Sequence, residues 1–187
     1  MSVARRRDLH VISGPFGRKA VLAFGAIKRG GNRDLLSAIS EIDRRFGTAT
    51  QVFDTSVIAG RAHLLSGAFS ALLAHAEGRG FAQSLQLELI CHVASDGQIA
   101  RAIKKVGVRP RVNRFAFLII GDSGGDVKAA MREILSNLRM ERDDSVIELN
   151  ARKIPKIIKT FSLSSRELEC CSIEDLVLER ISLMSLP

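Results

Sequence analysis

An α/β fold of the α+β kind, a small sheet packed with helices and ending in a helical C-terminal part, is predicted by three features of the sequence. Two near-continuous apolar runs, Ala20 to Ile27 and Phe115 to Ile120, have strand length. Apolar residues between and after them recur at helical spacing. The stretch from about residue 150 carries capped helical patterning and no further strand-sized run. With 187 residues and 46% hydrophobic composition the chain can bury one sizeable core. A single domain over 1–187 is therefore expected, with 150–187 as its helical extension.

Ala20 to Ile27 lies among glycines and reads as a buried strand. Leu35, Leu36, Ile39, Ile42 and Phe46 then fall on one helical face, with Asn32 or Asp34 as cap and Gly47 as stop. Gln51-Val-Phe53 is a short strand. From Gly60 to Glu77 the apolar stripe Leu64, Leu65, Ala68, Phe69, Leu72 and Leu73 predicts a helix ended by Gly78 and Gly80; its small residues, Ala62, Ser66, Gly67, Ser70, Ala71 and Ala74, let another backbone approach closely. Leu85, Leu87, Leu89, Cys91 and Val93 alternate with more polar residues, which predicts a strand.

Ser95-Asp-Gly-Gln98 matches a capping box and predicts a helix with Ile99, Ile103 and Val106 inward and Gln98, Arg101, Lys104 and Lys105 on the other side. Phe115 to Ile120 is the second buried strand. Gly121-Asp-Ser-Gly-Gly125 joins it to a helix with Val127, Ala130, Met131, Ile134, Leu135 and Leu138 inward. Val146-Ile147 suggests an edge strand. Ser172 caps a last helix with Leu176, Val177, Ile181 and Met184 along one side.

Composition narrows the functional classes. No apolar run approaches the roughly 18 residues that a membrane-spanning helix needs, so no membrane partner is expected. The basic cluster Arg5 to Arg7 is followed by Asp8, His10 and Pro15, which break the apolar region a signal peptide requires. Three cysteines, two of them the neighbours Cys170 and Cys171, fit a reducing, cytoplasmic setting. Neither CxxC nor HExxH spacing is present, so no metal and no cofactor are expected.

The formal charge of +8 is segregated. Between Asp8 and Asp34 lie Arg18, Lys19, Lys28, Arg29 and Arg33. Between Asp96 and Asp122 lie Arg101, Lys104, Lys105, Arg109, Arg111 and Arg114. The tail from Phe161 is acidic, with Glu167, Glu169, Glu174, Asp175 and Glu179. A basic body predicts a polyanion partner, and with Tyr and Trp absent, recognition of strand ends or backbone suits it better than an extended aromatic platform.

Gly121-Asp-Ser-Gly-Gly125 is identical to the peptide around the nucleophile of trypsin-like proteases, but it joins a strand to a helix rather than sitting in an all-β scaffold with a histidine base. It also lacks the Gly-Lys-Ser/Thr ending of a nucleotide-hydrolysing loop, although its glycines leave a phosphate cradle open as an alternative to a plain turn. No catalytic residues are assigned. Arg61 and His63, at the start of the second helix, are candidates for RNA contact beside Gln98, Arg101, Lys104 and Lys105.

Four segments, in order, resemble one known family. Ile58-Ala-Gly-Arg-Ala-His-Leu64 resembles its Ile-x-Gly-x-x-His-Leu segment, and Leu87-Glu-Leu-Ile90 the strand before its signature helix. Gln98-Ile-Ala-Arg-Ala-Ile-Lys-Lys-Val-Gly107 resembles that helix, and Glu174-Asp-Leu-Val-Leu-Glu-Arg-Ile181 the closing one. The family is that of the small TPRKB-type subunits that bind the PRPK/Bud-type kinase in the KEOPS complex, and the likeness spans roughly 50–122 and 172–185. It implies a non-catalytic subunit that contacts and stimulates a small atypical protein kinase and helps bind tRNA by its 3′ tail for threonylcarbamoyl-adenosine formation. Leu176 and Ile181 are the expected partner contacts. Gly97 stands where the family usually has arginine and His92 where it usually has tyrosine, so a role for that arginine does not carry over. A free-standing RNA-binding protein, or a phosphate- or nucleotide-binding enzyme using Gly121 to Gly125, are the alternative functions.

Overall fold

A computed structural model describes residues 9–29, 34–110 and 112–184. The expectations placed on Arg5 to Arg7, Asn32, Arg33 and Arg111 lie outside the described residues. The α+β architecture is the one expected. Strands β1 (Leu9–Gly14), β2 (Gly17–Lys28), β3 (Ala49–Asp54), β4 (Arg114–Gly121) and β5 (Met140–Arg142) form one antiparallel sheet in the order β1-β2-β4-β3. β2 is long enough that β1 pairs with its first half and β5 with its last residues along the same edge.

The helices are α1 (Leu35–Phe46), α2 (Arg61–Ala76), α3 (Leu85–Ala94), α4 (Ile99–Val106), α5 (Gly124–Asn137), α6 (Ile154–Phe161), α7 (Ser165–Cys170) and α8 (Ile173–Leu183). Pleating sends alternate residues of each strand to opposite faces. Leu22, Phe24, Phe117 and Ile119 meet α1 and α5, while Val21, Ala23, Phe53, Leu118 and Ile120 meet α2, α3 and α4. Phe24 and Phe117 stack with ring centres 4.9 Å apart on the first face. A third apolar cluster, Ala59, Ile157, Phe161, Leu163, Leu176 and Val177, ties α6 and α8 to the start of α2.

Local signals explain most boundaries. The Asp34 carboxylate accepts from the Ser37 N–H at 2.9 Å to start α1, and Gly47 ends it in the left-handed region at φ 62°. Three expectations are corrected. Residues 85–94 are the helix α3, not a strand: Ser84 caps it, and packing between α2 and α4 buries Glu88, Leu89, Ile90, Cys91, His92 and Val93 in succession. Ser95 does not cap the following helix; at φ 49° it terminates α3, and Gln98 is the residue before α4. Val146-Ile147 is no edge strand either. Asp144–Val146 is a 3₁₀ turn capped by Asp143, and the short edge strand is Met140–Arg142.

The small residues of α2 are used inside the fold. A Cβ on Gly67 would lie 2.5 Å from a Val93 methyl group, so the absence of a side chain is what lets α2 and α3 pack.

Candidate functional site

The segment Asp96 to Lys105 concentrates charge on one short helix. Asp96, 7% exposed, receives the Gln98 N–H at 3.1 Å, the Arg101 guanidinium at 2.9 Å and the Lys105 ammonium at 3.0 Å. Burial alone would raise the pKa of Asp96, but these donors outweigh it and hold the carboxyl down at about 2. Two of the four expected RNA-facing residues on this helix are therefore ion-paired to one carboxylate, although the Arg101 side chain remains 62% exposed. Gln98 and Lys104 are exposed, and Lys104 makes no ion pair among the described residues.

Arg61 and His63 are placed differently. Arg61 bridges the Ala23 carbonyl and, at 2.9 Å, the Asp144 carboxylate, which also holds Arg142 at 2.7 Å. His63 is 1% exposed. Its Nδ1 accepts from the Ala59 N–H at 3.1 Å, which leaves Nε2 to donate to the Val93 carbonyl at 2.9 Å. Burial lowers its pKa to about 4, so the ring is neutral at pH 7. The Ile-Ala-Gly-Arg-Ala-His-Leu run is thus a structural joint: Gly60, at φ 113°, turns the chain, Arg61 ties α2 to the sheet, and His63 ties it to α3 while meeting the Phe161 ring edge-on at 5.3 Å.

Two departures noted in the sequence prove to be neighbours. A Cβ on Gly97 would sit 2.7 Å from the Phe81 ring, and that ring packs 5.7 Å from His92. His92 in turn lies 2.9 Å from Glu88, both of them fully buried, and the other Glu88 oxygen accepts from the Ala82 N–H at 2.8 Å. Phe81, 43% exposed, therefore occupies the space over Gly97. The signal available in the sequence was the spacing of Glu88 and His92, four residues apart and so on one helical face.

Leu176 and Ile181, at 3% and 0% exposure, face inward within the chain. The outer side of α8 presents Glu174, Asp175, Glu179 and Leu183 instead, the last 51% exposed. In the Gly121 to Gly125 loop the Ser123 hydroxyl caps α5 by accepting from the Gly125 N–H at 3.1 Å. The Leu9 side chain lies 2.6 Å from where a Gly124 Cβ would be, so the glycine accommodates packing against β1. Among the described residues no three His, Cys, Asp or Glu side chains cluster as a metal site, and no helix is long and apolar enough to cross a membrane.

A family model described as kinase binding protein CGI-121 matches residues 32–185, which takes in every element from α1 to α8. No curated protein matches the chain.

Proposed function

Because the chain belongs to the CGI-121 family of kinase-binding proteins, we propose that it is a non-catalytic subunit of the KEOPS tRNA-modification complex that binds and stimulates the small PRPK/Bud-type kinase. The observation that carries this reading is the extent of the family match, 32–185, which covers both sheet faces and the acidic closing helix. The outer face of α8, with Glu174, Asp175, Glu179 and Leu183, is the proposed kinase contact. Leu176 and Ile181 support that face from beneath. The proposed cellular location is the cytoplasm.

The second half of the reading is tRNA binding, with the 3′ tail as the favoured feature. It is supported by the exposed cations of α4, Arg101 and Lys104, with Gln98 and the Asp96-held Lys105 beside them. Arg61 and His63 stabilise the fold instead, since one is bonded to the sheet and the other is buried.

Calorimetric titration of the folded chain with its cognate kinase tests the first half. Micromolar or tighter binding is expected, and its absence sinks the reading. The second half is tested by comparing intact tRNA with tRNA trimmed of its 3′ tail, whose loss should weaken binding and reduce the salt slope by about 0.7 for each phosphate contact removed.

A further inference from the structure

On another part of the surface, the end of β3, the segment leading into β4 and the turn before α6 enclose a cleft of about 730 Å³. Among the described residues five cations line it: Arg109, Arg114, Arg152, Lys153 and Lys156. Like charges gathered in a concave site repel one another and focus a positive potential, and only part of this charge is compensated internally. The Asp54 carboxylate holds Lys156 at 2.9 Å and Arg109 at 3.7 Å, and Asp143 is turned to Ser145, whose hydroxyl it receives at 2.6 Å. Arg114 and Arg152 make no ion pair among the described residues.

Lys153 lies 7% exposed in this wall, its ammonium donating to the Val146 carbonyl at 2.7 Å and more weakly to Ile58 at 3.4 Å. An ammonium has three donors, and two are used. Burial pushes this amine down to about 8, so at pH 7 it is still mainly the ammonium, and an anion placed against it would raise that value again.

We propose that this cleft is a binding site for the phosphate-bearing part of a nucleotide. Its volume falls within the roughly 300–1,000 Å³ of small-ligand sites. Among the described residues its lining contains no aromatic and no long aliphatic side chain, which disfavours lipid or apolar ligands. Guanidinium groups match phosphate oxygens in paired hydrogen bonds, and the side-chain amides of Asn113 and Asn150 supply neutral donors and acceptors of the kind that ribose hydroxyls and base edges require. Two sources carry this chemistry: a free mononucleotide and the terminal nucleotide of an RNA strand. The second rests on the tRNA-binding reading above; the first does not.

The experiment titrates the full chain with AMP and, separately, with a short single-stranded RNA, using wild type, the Arg114→Ala/Arg152→Ala double variant and Lys104→Ala as the α4 control. Both arginines are exposed, so the double variant should keep its melting temperature. Its affinity should fall roughly tenfold or more per guanidinium that engages phosphate, with Lys104→Ala leaving AMP binding unchanged. Loss of AMP binding in the double variant supports the site and identifies a free nucleotide. Binding of RNA but not AMP, lost in the double variant, supports it and identifies a strand end. RNA binding that falls with Lys104→Ala and is untouched by the double variant overturns the cleft while leaving the tRNA reading intact. AMP binding lost in the double variant with no RNA binding keeps the cleft and removes the tRNA reading. If neither ligand binds wild type, both fall.

Discussion

Helices α4 and α8 are both short and both carry charge of one sign outward, yet they are built in opposite ways. In α8 the apolar side is deep: Leu176, Val177 and Ile181 are all at or below 3% exposure, and the acidic side chains stand free of the core. In α4 only Ala102 and Val106 are fully buried, Ile103 is 45% exposed, and a single carboxylate, Asp96, organises the cations from the helix N-terminus. A face whose residues are separate from the core can be altered without unfolding the protein. A face fastened by one acid changes in charge and in stability together.

The largest expected effect breaks the α8 side of this comparison. Leu176→Asp places a carboxylate in the cluster formed with Ile157 and Phe161, and Ile181→Asp places one at a position of 0% exposure; loss of the apolar contact plus charge burial should cost at least about 4 kcal/mol. Urea unfolding should show that loss, and any defect in kinase binding by these variants then reports folding. The surface variant Leu183→Asp sharpens the point. With that side chain 51% exposed, its unfolding midpoint should stay near wild type while kinase affinity falls by about tenfold or more, as for a peripheral apolar anchor. Unchanged affinity would move the kinase contact off α8.

Asp96→Asn breaks the α4 side. Losing the charge that faces Arg101 and Lys105 should cost about 1–3 kcal/mol and, by raising the net charge of the face, strengthen RNA binding and steepen its salt dependence. The pH signature is specific. The folded-state pKa of about 2 lies below the ordinary value of 3.8, so between them the unfolded chain binds more protons. The stabilisation is complete above 3.8 and is lost as pH falls through about 2. Acid unfolding of wild type and Asp96→Asn should converge across that window; parallel curves would mean that Asp96 is not held as described.

These contrasts also explain what was legible in the sequence. β2, β4, α1 and α5 were readable because each has either a continuous buried run or one clean apolar face. α3 was not. Packed between α2 and α4, it buries both its odd, apolar positions and the even positions Glu88, Ile90 and His92, so the period that marks a helix is lost and the remaining alternation imitates a strand. The positions of Lys104, Arg101 and Gln98 on one exposed face followed from helical spacing alone. The burial of His63 did not, because its donor and acceptor partners, the Ala59 N–H and the Val93 carbonyl, are brought together only by the docking of α2 on α3. Nor could the cationic cleft be read, since the segment of Arg109 and Arg114 meets that of Arg152, Lys153 and Lys156 only through the fold.

The smallest expected effect returns to the N-terminus of α4. Gly97→Arg installs the residue usual in the family, and the backbone there is not in the left-handed region, so the obstacle is the Phe81 ring 2.7 Å from the new Cβ. That ring is 43% exposed and belongs to the stretch before α3, so it can swing outward. The substitution should therefore cost only about 1 kcal/mol. Phe81→Ala alone should also destabilise, because it uncovers His92. The two changes together should cost less than the sum of their separate costs, since removing the ring removes the clash. In RNA titrations Gly97→Arg should add about 0.7 to the salt slope if the new guanidinium reaches a phosphate. Additive stability effects in the double-mutant cycle would show that Phe81 does not fill the space over Gly97, and the physical account of why this chain carries glycine there would have to be replaced.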